Sequence, residues 1–183
     1  VKVLAPYSST RGLPPDIDFI PLGKSVPVPA GGSTARLTFS VWIHRKVSKI
    51  LKQENFDVIH LHEPLMPFLP LSVLRSSKSV NIGTFHAVHG KFRNYGWSHH
   101  LLRYWFNKLD GLIAVSPAAA KYAGRFFSGD FHIIPNGIDI DNFAIPKPPM
   151  LVITDGKLNI LFVGRLEKRK GLKYLLEAYA KLK

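Results

Sequence analysis

Short β-branched or apolar runs recur along this chain with segments of helical period between them, and that alternation limits the fold more than any other feature. The runs that read as strands are Val1 to Pro6, Ile17 to Leu22, Asp57 to Leu61, Val80 to Phe85, Gly111 to Val115, Phe131 to Pro135 and Asn159 to Val163. Strands joined through helices pair in parallel, because a parallel connection needs a crossover long enough to hold a helix. The expectation is therefore an α/β protein with a doubly wound parallel sheet. Between Thr38 and Glu54, Phe39, Ile43, Val47, Ile50 and Leu51 share one helical face, with Arg45, Lys49 and Lys52 opposite. Pro64, Pro67 and Pro70 break the chain after the third strand, and a short helix is expected beyond them. Trp97 to Leu109 reads as a helix with Leu101, Leu102, Trp105 and Leu109 inward. Ser116-Pro117 supplies an N-cap and a proline at the first helical position for a helix through Ala118 to Phe127.

The stretch from Ala144 to Met150 contains Pro146, Pro148 and Pro149 and has the composition of a semi-rigid linker. It divides a first domain, 1–143, from a second, 151–183, with 144–150 as the link. The second piece is too short to bury a core of its own, so it reads as a domain only begun. The opening residues Val1-Lys2-Val3-Leu4-Ala5-Pro6 show neither an initiator Met nor a signal-peptide layout. They read as a strand already under way, which places the expected N-terminus upstream.

Composition narrows the function. With 25 Lys plus Arg against 12 Asp plus Glu, the net charge of the 183 residues is +13, which points to an anionic partner. The absence of cysteine excludes disulfide scaffolds, zinc ribbons and thiol catalysis. No apolar run reaches the ~18 residues of a bilayer span.

Several side chains carry chemistry, each with a plainer alternative. In the loop Gly164 to Gly171, the cations Arg165, Lys168, Arg169 and Lys170 sit where a strand hands over to a helix. Cations at a helix N-terminus oppose its dipole, so the loop is either a solvated charge run or an anion site in which backbone N–H groups assist. His86 and Lys91 follow the strand Val80 to Phe85 at its carboxyl end, where open α/β sheets bind ligands; the alternative is a structural histidine. His60 and His62 alternate on one side of their strand and, with His86, imitate a three-histidine metal site. No carboxylate is evidently placed to orient the rings, and no metal is expected there. Asn136-Gly137 reads as a backbone turn. Arg45, Lys46, Lys49 and Lys52 form a basic stripe, either solvated or facing an anionic surface. A nucleic-acid module would also use the charge, but basic residues interleaved with surface aromatics in a recognised module are lacking, and no nucleic acid is expected.

Taken in order, Arg36-Leu37, Val58-Ile59-His60-Leu61-His62-Glu63-Pro64, Gly83-Thr84-Phe85-His86, Ile113-Ala114-Val115-Ser116, Ile134-Pro135-Asn136-Gly137-Ile138-Asp139 and Val163-Gly164-Arg165 with Lys170-Gly171 resemble the retaining glycosyltransferases of family 4. Ala35-Arg36-Leu37, His44-Arg45-Lys46-Val47 and the spacing from His86 to Lys91 resemble, within it, the bacterial phosphatidylinositol mannosyltransferases. The resemblance implies the GT-B fold, with two Rossmann-like domains. The first, here lacking the family's first strand and glycine-rich loop, holds the acceptor; the second, here only begun, holds the nucleotide sugar. It implies a donor such as GDP-mannose and a lipid-linked acceptor such as phosphatidylinositol. It implies no tightly bound cofactor and, if a divalent metal takes part, none coordinated by the protein.

By the same resemblance, Arg165 and Lys170 match the pair that neutralises the leaving diphosphate, and His86 the histidine beside the transferred sugar and acceptor. Lys91 matches a lysine near the acceptor phosphate, and Arg36 is a candidate for that surface. Retention without a protein nucleophile fits front-face attack by the acceptor hydroxyl, the leaving phosphate helping to take its proton. The location implied is cytoplasmic, peripheral at the inner face of the cytoplasmic membrane. The chain alone, lacking most of the second domain, is expected to be inactive. The alternative is a non-catalytic sugar- or lipid-binding domain, or a basic nucleic-acid-binding one.

Overall fold

The computed structural model describes residues 1–7, 17–30, 33–39, 42–86, 94–145 and 156–182. It separates into two compact units, Val1–Pro135 and Asn136–Lys183.

In the first unit, β1 (Lys2–Tyr7) pairs in parallel with β2 (Asp18–Lys24). An antiparallel pair follows, β3 (Val26–Ala30) with β4 (Ser33–Leu37), and then α1 (Ile43–Glu54). The remaining strands alternate with helices: β5 (Val58–His62), α2 (Leu69–Ser76), β6 (Val80–Phe85), α3 (Asn94–Phe106), β7 (Gly111–Ala114), α4 (Pro117–Gly124) and β8 (Phe131–Ile133). β5, β6, β7 and β8 lie in that order in one parallel sheet. The result is a Rossmann-like α/β architecture, as the alternation of runs required.

Two clusters form the core. Leu22, Ile43, Val47, Leu61, Leu69, Val73 and Leu74 join β2, α1, β5 and α2, with Leu4 and Ile59 packed against them. Leu65, Phe85, Phe106, Leu112, Ala123 and Phe127 join the far side of the sheet to α3 and α4. Each aliphatic or aromatic side chain so buried contributes about 1.5–3 kcal/mol. A Cβ on Gly83 would come within 2.9 Å of both Pro64 and Leu109, so β6 needs a residue without a side chain where these two cross it.

Four readings of the sequence are corrected. The basic helix begins at Ile43, not Thr38, because Thr38 is buried at 2% exposure against Gly23 of β2, holding the chain on the strand layer before it turns. Leu101 is 72% exposed and Phe106 takes the inward position; Leu102, Trp105, Phe106 and Leu109 keep the helical spacing that Leu101 misses by one residue. The β3–β4 hairpin was not expected, although Gly31-Gly32 between two short β-prone runs is a hairpin signal. Residues 159–163 form no strand: no ladder partner lies beside them among the described residues, and Leu161 and Val163 are more than four-fifths exposed.

The second unit holds α5 (Ile140–Ala144), a single 3₁₀ turn over Lys168–Lys170 and α6 (Leu172–Ala180). Among its described residues no side chain is buried.

Candidate functional site

The carboxyl ends of β5 and β6 are where polar side chains gather. The register places His62 beside Thr84 across the two strands. Beyond His62 the chain turns at Glu63, whose φ of 53° lies in the left-handed region that costs a non-glycine residue on the order of 1 kcal/mol. That turn is held at both ends. The Glu63 amide donates to the Thr84 carbonyl at 2.8 Å, and Glu63 Oε1 accepts from the His86 amide at 2.8 Å. The His86 amide lies just past the last residue of β6, and the carboxylate supplies its acceptor.

His86 is fixed at its ring as well as its backbone. Its Nε2 lies 2.7 Å from His62 Nδ1, so one imidazole donates and the other accepts. His62 in turn lies against His60, with ring centroids 4.6 Å apart, and His60 Nε2 is 2.6 Å from Oγ1 of the buried Thr84. Burial first, then the neighbouring His60 and His86, pushes the His62 imidazole below its ordinary pKa, so the neutral form is favoured. On α4 the Tyr122 phenol is pushed up, chiefly by burial, with Arg125 acting against the shift and Glu63 adding to it.

The three histidines are therefore brought together, His60 stacked on His62 and His62 hydrogen-bonded to His86. Among the described residues no group has the arrangement of a metal site. Glu63, which sequence reasoning left without a role, orients the His86 backbone; its left-handed turn has no signature in the residue types.

A groove of about 790 Å³ opens between β1 and β5, and its lining includes Leu4, Arg36, Ile59, His62 and Glu63. It brings Arg36, exposed on β4, to the same depression as the end of β5. Lys91 lies outside the described residues. On α1 the side chains of Arg45, Lys46, Lys49 and Lys52 are exposed while Ile43 and Val47 are buried.

In the second unit, Glu167 bridges two cations: Oε1 to Arg165 Nη1 and Oε2 to Arg169 Nε, each at 2.9 Å. The carboxylate is mostly sheltered, at 17% exposure, and ties the loop together. Lys168 and Lys170 belong to the 3₁₀ turn that ends at Gly171, whose φ of 80° suits glycine and which caps α6. The sequence showed the excess of cations here but not that an acid at their centre organises them.

A parallel sheet whose strand ends carry a held histidine, with a groove beside them, is the frame of a Rossmann-like domain, a class of fold that takes its ligands at the carboxyl ends of the strands. Residues 1–142 match Glycosyltransferase Family 4, and the chain belongs to that family. It is 39% identical over its whole length to a phosphatidyl-myo-inositol mannosyltransferase of Mycobacterium tuberculosis, covering 48% of that protein. It is 38% identical, again over the whole chain, to the protein of that name from Mycolicibacterium smegmatis, covering 47%. A third such protein, from Propionibacterium freudenreichii, is 33% identical over 97% of the chain and 48% of its own length. The chain thus spans about half the length of the curated relatives it matches.

Proposed function

We propose that the protein in its full-length form is a retaining glycosyltransferase that moves mannose from GDP-mannose to a phosphatidylinositol-type lipid at a membrane surface. The observation that carries this reading is the fixed position of His86, held by Glu63 at its backbone and by His62 at its ring. A side chain held in this way at a strand's carboxyl end loses little freedom when substrate arrives, which is what positioning an acceptor hydroxyl against a sugar requires. The similarity to enzymes named for phosphatidyl-myo-inositol supports the acceptor.

Arg165 and Lys170 neutralise the diphosphate. Cleavage of a glycosyl phosphate bond gathers negative charge on the leaving group, and fixed cations lower that barrier when their contacts strengthen in the transition state. The acceptor hydroxyl attacks the face the diphosphate leaves, the configuration is retained, and the departing phosphate takes the proton. Lys91 and Arg36 receive the acceptor's phosphate. The exposed cations of α1 draw the protein to the anionic cytoplasmic leaflet, each contributing about 1 kcal/mol near the surface. No helix among the described residues is long and apolar enough to cross a membrane, so surface attachment is the mode proposed.

Calorimetric titration of the full-length protein with GDP and GDP-mannose tests the donor assignment. Saturable binding of both is expected, weakened about tenfold or more by Arg165→Ala and by Lys170→Ala, as for loss of a charge-assisted contact. Binding of neither nucleotide by folded protein contradicts the donor assignment; undiminished binding in both variants contradicts the two residues' roles.

A further inference from the structure

His62 has a ring on either side of it. Its Nδ1 is 2.7 Å from His86 Nε2, and those two ring centroids are 5.0 Å apart. That separation is close to the nitrogen contact plus two ring radii, so the contact runs nearly through both ring centres, the direction in which an imidazole N–H or lone pair projects. His60 stacks on His62 with centroids 4.6 Å apart and planes 28° apart, and its own Nε2 reaches Oγ1 of the buried Thr84 at 2.6 Å. The ring that touches His86 is thus backed by one pinned to the interior of β6.

The direction of donation follows from the tautomers. A neutral histidine side chain favours its proton on Nε2, and one arrangement puts all three rings in that form. His60 Nε2–H donates to Thr84 Oγ1, and His86 Nε2–H donates to His62 Nδ1. His62 keeps that lone pair near neutral pH because its imidazole is pushed below the ordinary pKa, first by burial and then by His60 and His86.

We propose that His62 is a positioning residue for the transfer reaction: by accepting the His86 Nε2–H it fixes the plane and tautomer of that ring and leaves His86 Nδ1 unprotonated to receive a hydrogen bond from a substrate hydroxyl. The hydrogen bond made at one imidazole nitrogen decides the state of the other. Glu63 holds only the His86 amide, so without His62 the ring turns about its side-chain bonds and exchanges tautomers. The loss falls on the chemical step, which depends on alignment of the reacting groups, more than on ground-state binding. The inference rests on the placing of His86 at the reacting groups given above and adds the residue that orients it.

The test compares the full-length parent with His62→Phe and His62→Asn. Phe keeps a ring against His60 but accepts no hydrogen bond, whereas Asn puts an amide oxygen where Nδ1 stood. His62 belongs to neither core cluster, and melting temperatures within a few degrees of the parent's are expected for both variants. Transfer from GDP-mannose to phosphatidylinositol vesicles is followed at steady state. In His62→Phe kcat is expected to fall by on the order of 10- to 10²-fold with KM for both substrates within about twofold, and in His62→Asn to recover to within about threefold of the parent. Long-range ¹H–¹⁵N spectra of protein labelled with ¹⁵N-histidine, taken above the imidazole titration range, read the His86 ring. A single Nε2–H tautomer is expected in the parent and in His62→Asn, and an average of both tautomers in His62→Phe. Equal kcat in the parent and His62→Phe, or a parent His86 that carries its proton on Nδ1, overturns the proposal and leaves the mannosyltransferase reading standing. An equal fall in kcat in both variants with the tautomer unchanged also overturns it, since packing alone then accounts for the loss. Absence of transfer by folded parent overturns the functional reading and, with it, the part of His62 in transfer.

Discussion

His62 and His86 share a 2.7 Å nitrogen–nitrogen contact, and such a contact accommodates one proton. Because the His62 pKa is lowered in the folded protein, the unfolded chain binds the proton more readily below about 6.5. Stability therefore declines as pH falls from about 6.5 toward the folded-state pKa. His60 on the same strand stacks on the His62 ring, and Glu63 at the strand's end holds the His86 amide. Urea melts between pH 7.5 and 5 are expected to show this decline in the parent and a shallower one in His62→Phe, which keeps a ring beside His60 but cannot be charged. Identical pH profiles would show that the contact carries no titration. The sequence made His86 legible through its place after an apolar strand. It did not reveal Glu63, whose part depends on a left-handed backbone turn that residue types do not encode.

Among the elements, those with continuous apolar patterning were read closely, since β6 runs from Val80 to Phe85 as expected and Ser116 Oγ accepts the Ala119 amide at 3.2 Å as an N-cap should. Structure departs from sequence pattern where tertiary contact overrides it. Thr38 sits in the strand layer because Gly23 leaves room for it, and Asn159 to Val163 lacks, among the described residues, a partner that would turn β-prone composition into a strand. The fit around Gly83 is a packing feature of the same kind, set by Pro64 and Leu109 from other parts of the chain. Gly83→Ala is expected to destabilise the protein by about 1–3 kcal/mol, the usual range for overpacking, measured as a lower urea midpoint with unchanged slope. An unchanged midpoint would mean that Pro64 and Leu109 move aside without loss.

At the scale of the whole molecule, the +13 charge is not spread evenly in its effect: Glu167 absorbs part of it in one loop, while the cations of α1 stand exposed as a row. Net charge pointed to an anionic partner but could not distinguish a diphosphate from a leaflet; the proposed function assigns the loop to the first and α1 to the second. Class and architecture were legible because the alternation of strands and helices is repeated many times, whereas the unit boundary at Asn136 depends on packing that no single segment records. The proposed reaction is transfer of mannose to an inositol phospholipid with His86 at the reacting groups. It is tested by following label from GDP-[¹⁴C]mannose into lipid extracted from phosphatidylinositol vesicles, for full-length parent and His86→Ala. An α-mannosylated lipid is expected from the parent, and a rate lower by on the order of 10²-fold or more from the variant. A variant melting temperature within a few degrees of the parent's is also expected, as for a change under about 1 kcal/mol. No labelled lipid from folded parent protein, or an equal rate from His86→Ala, would contradict this proposal.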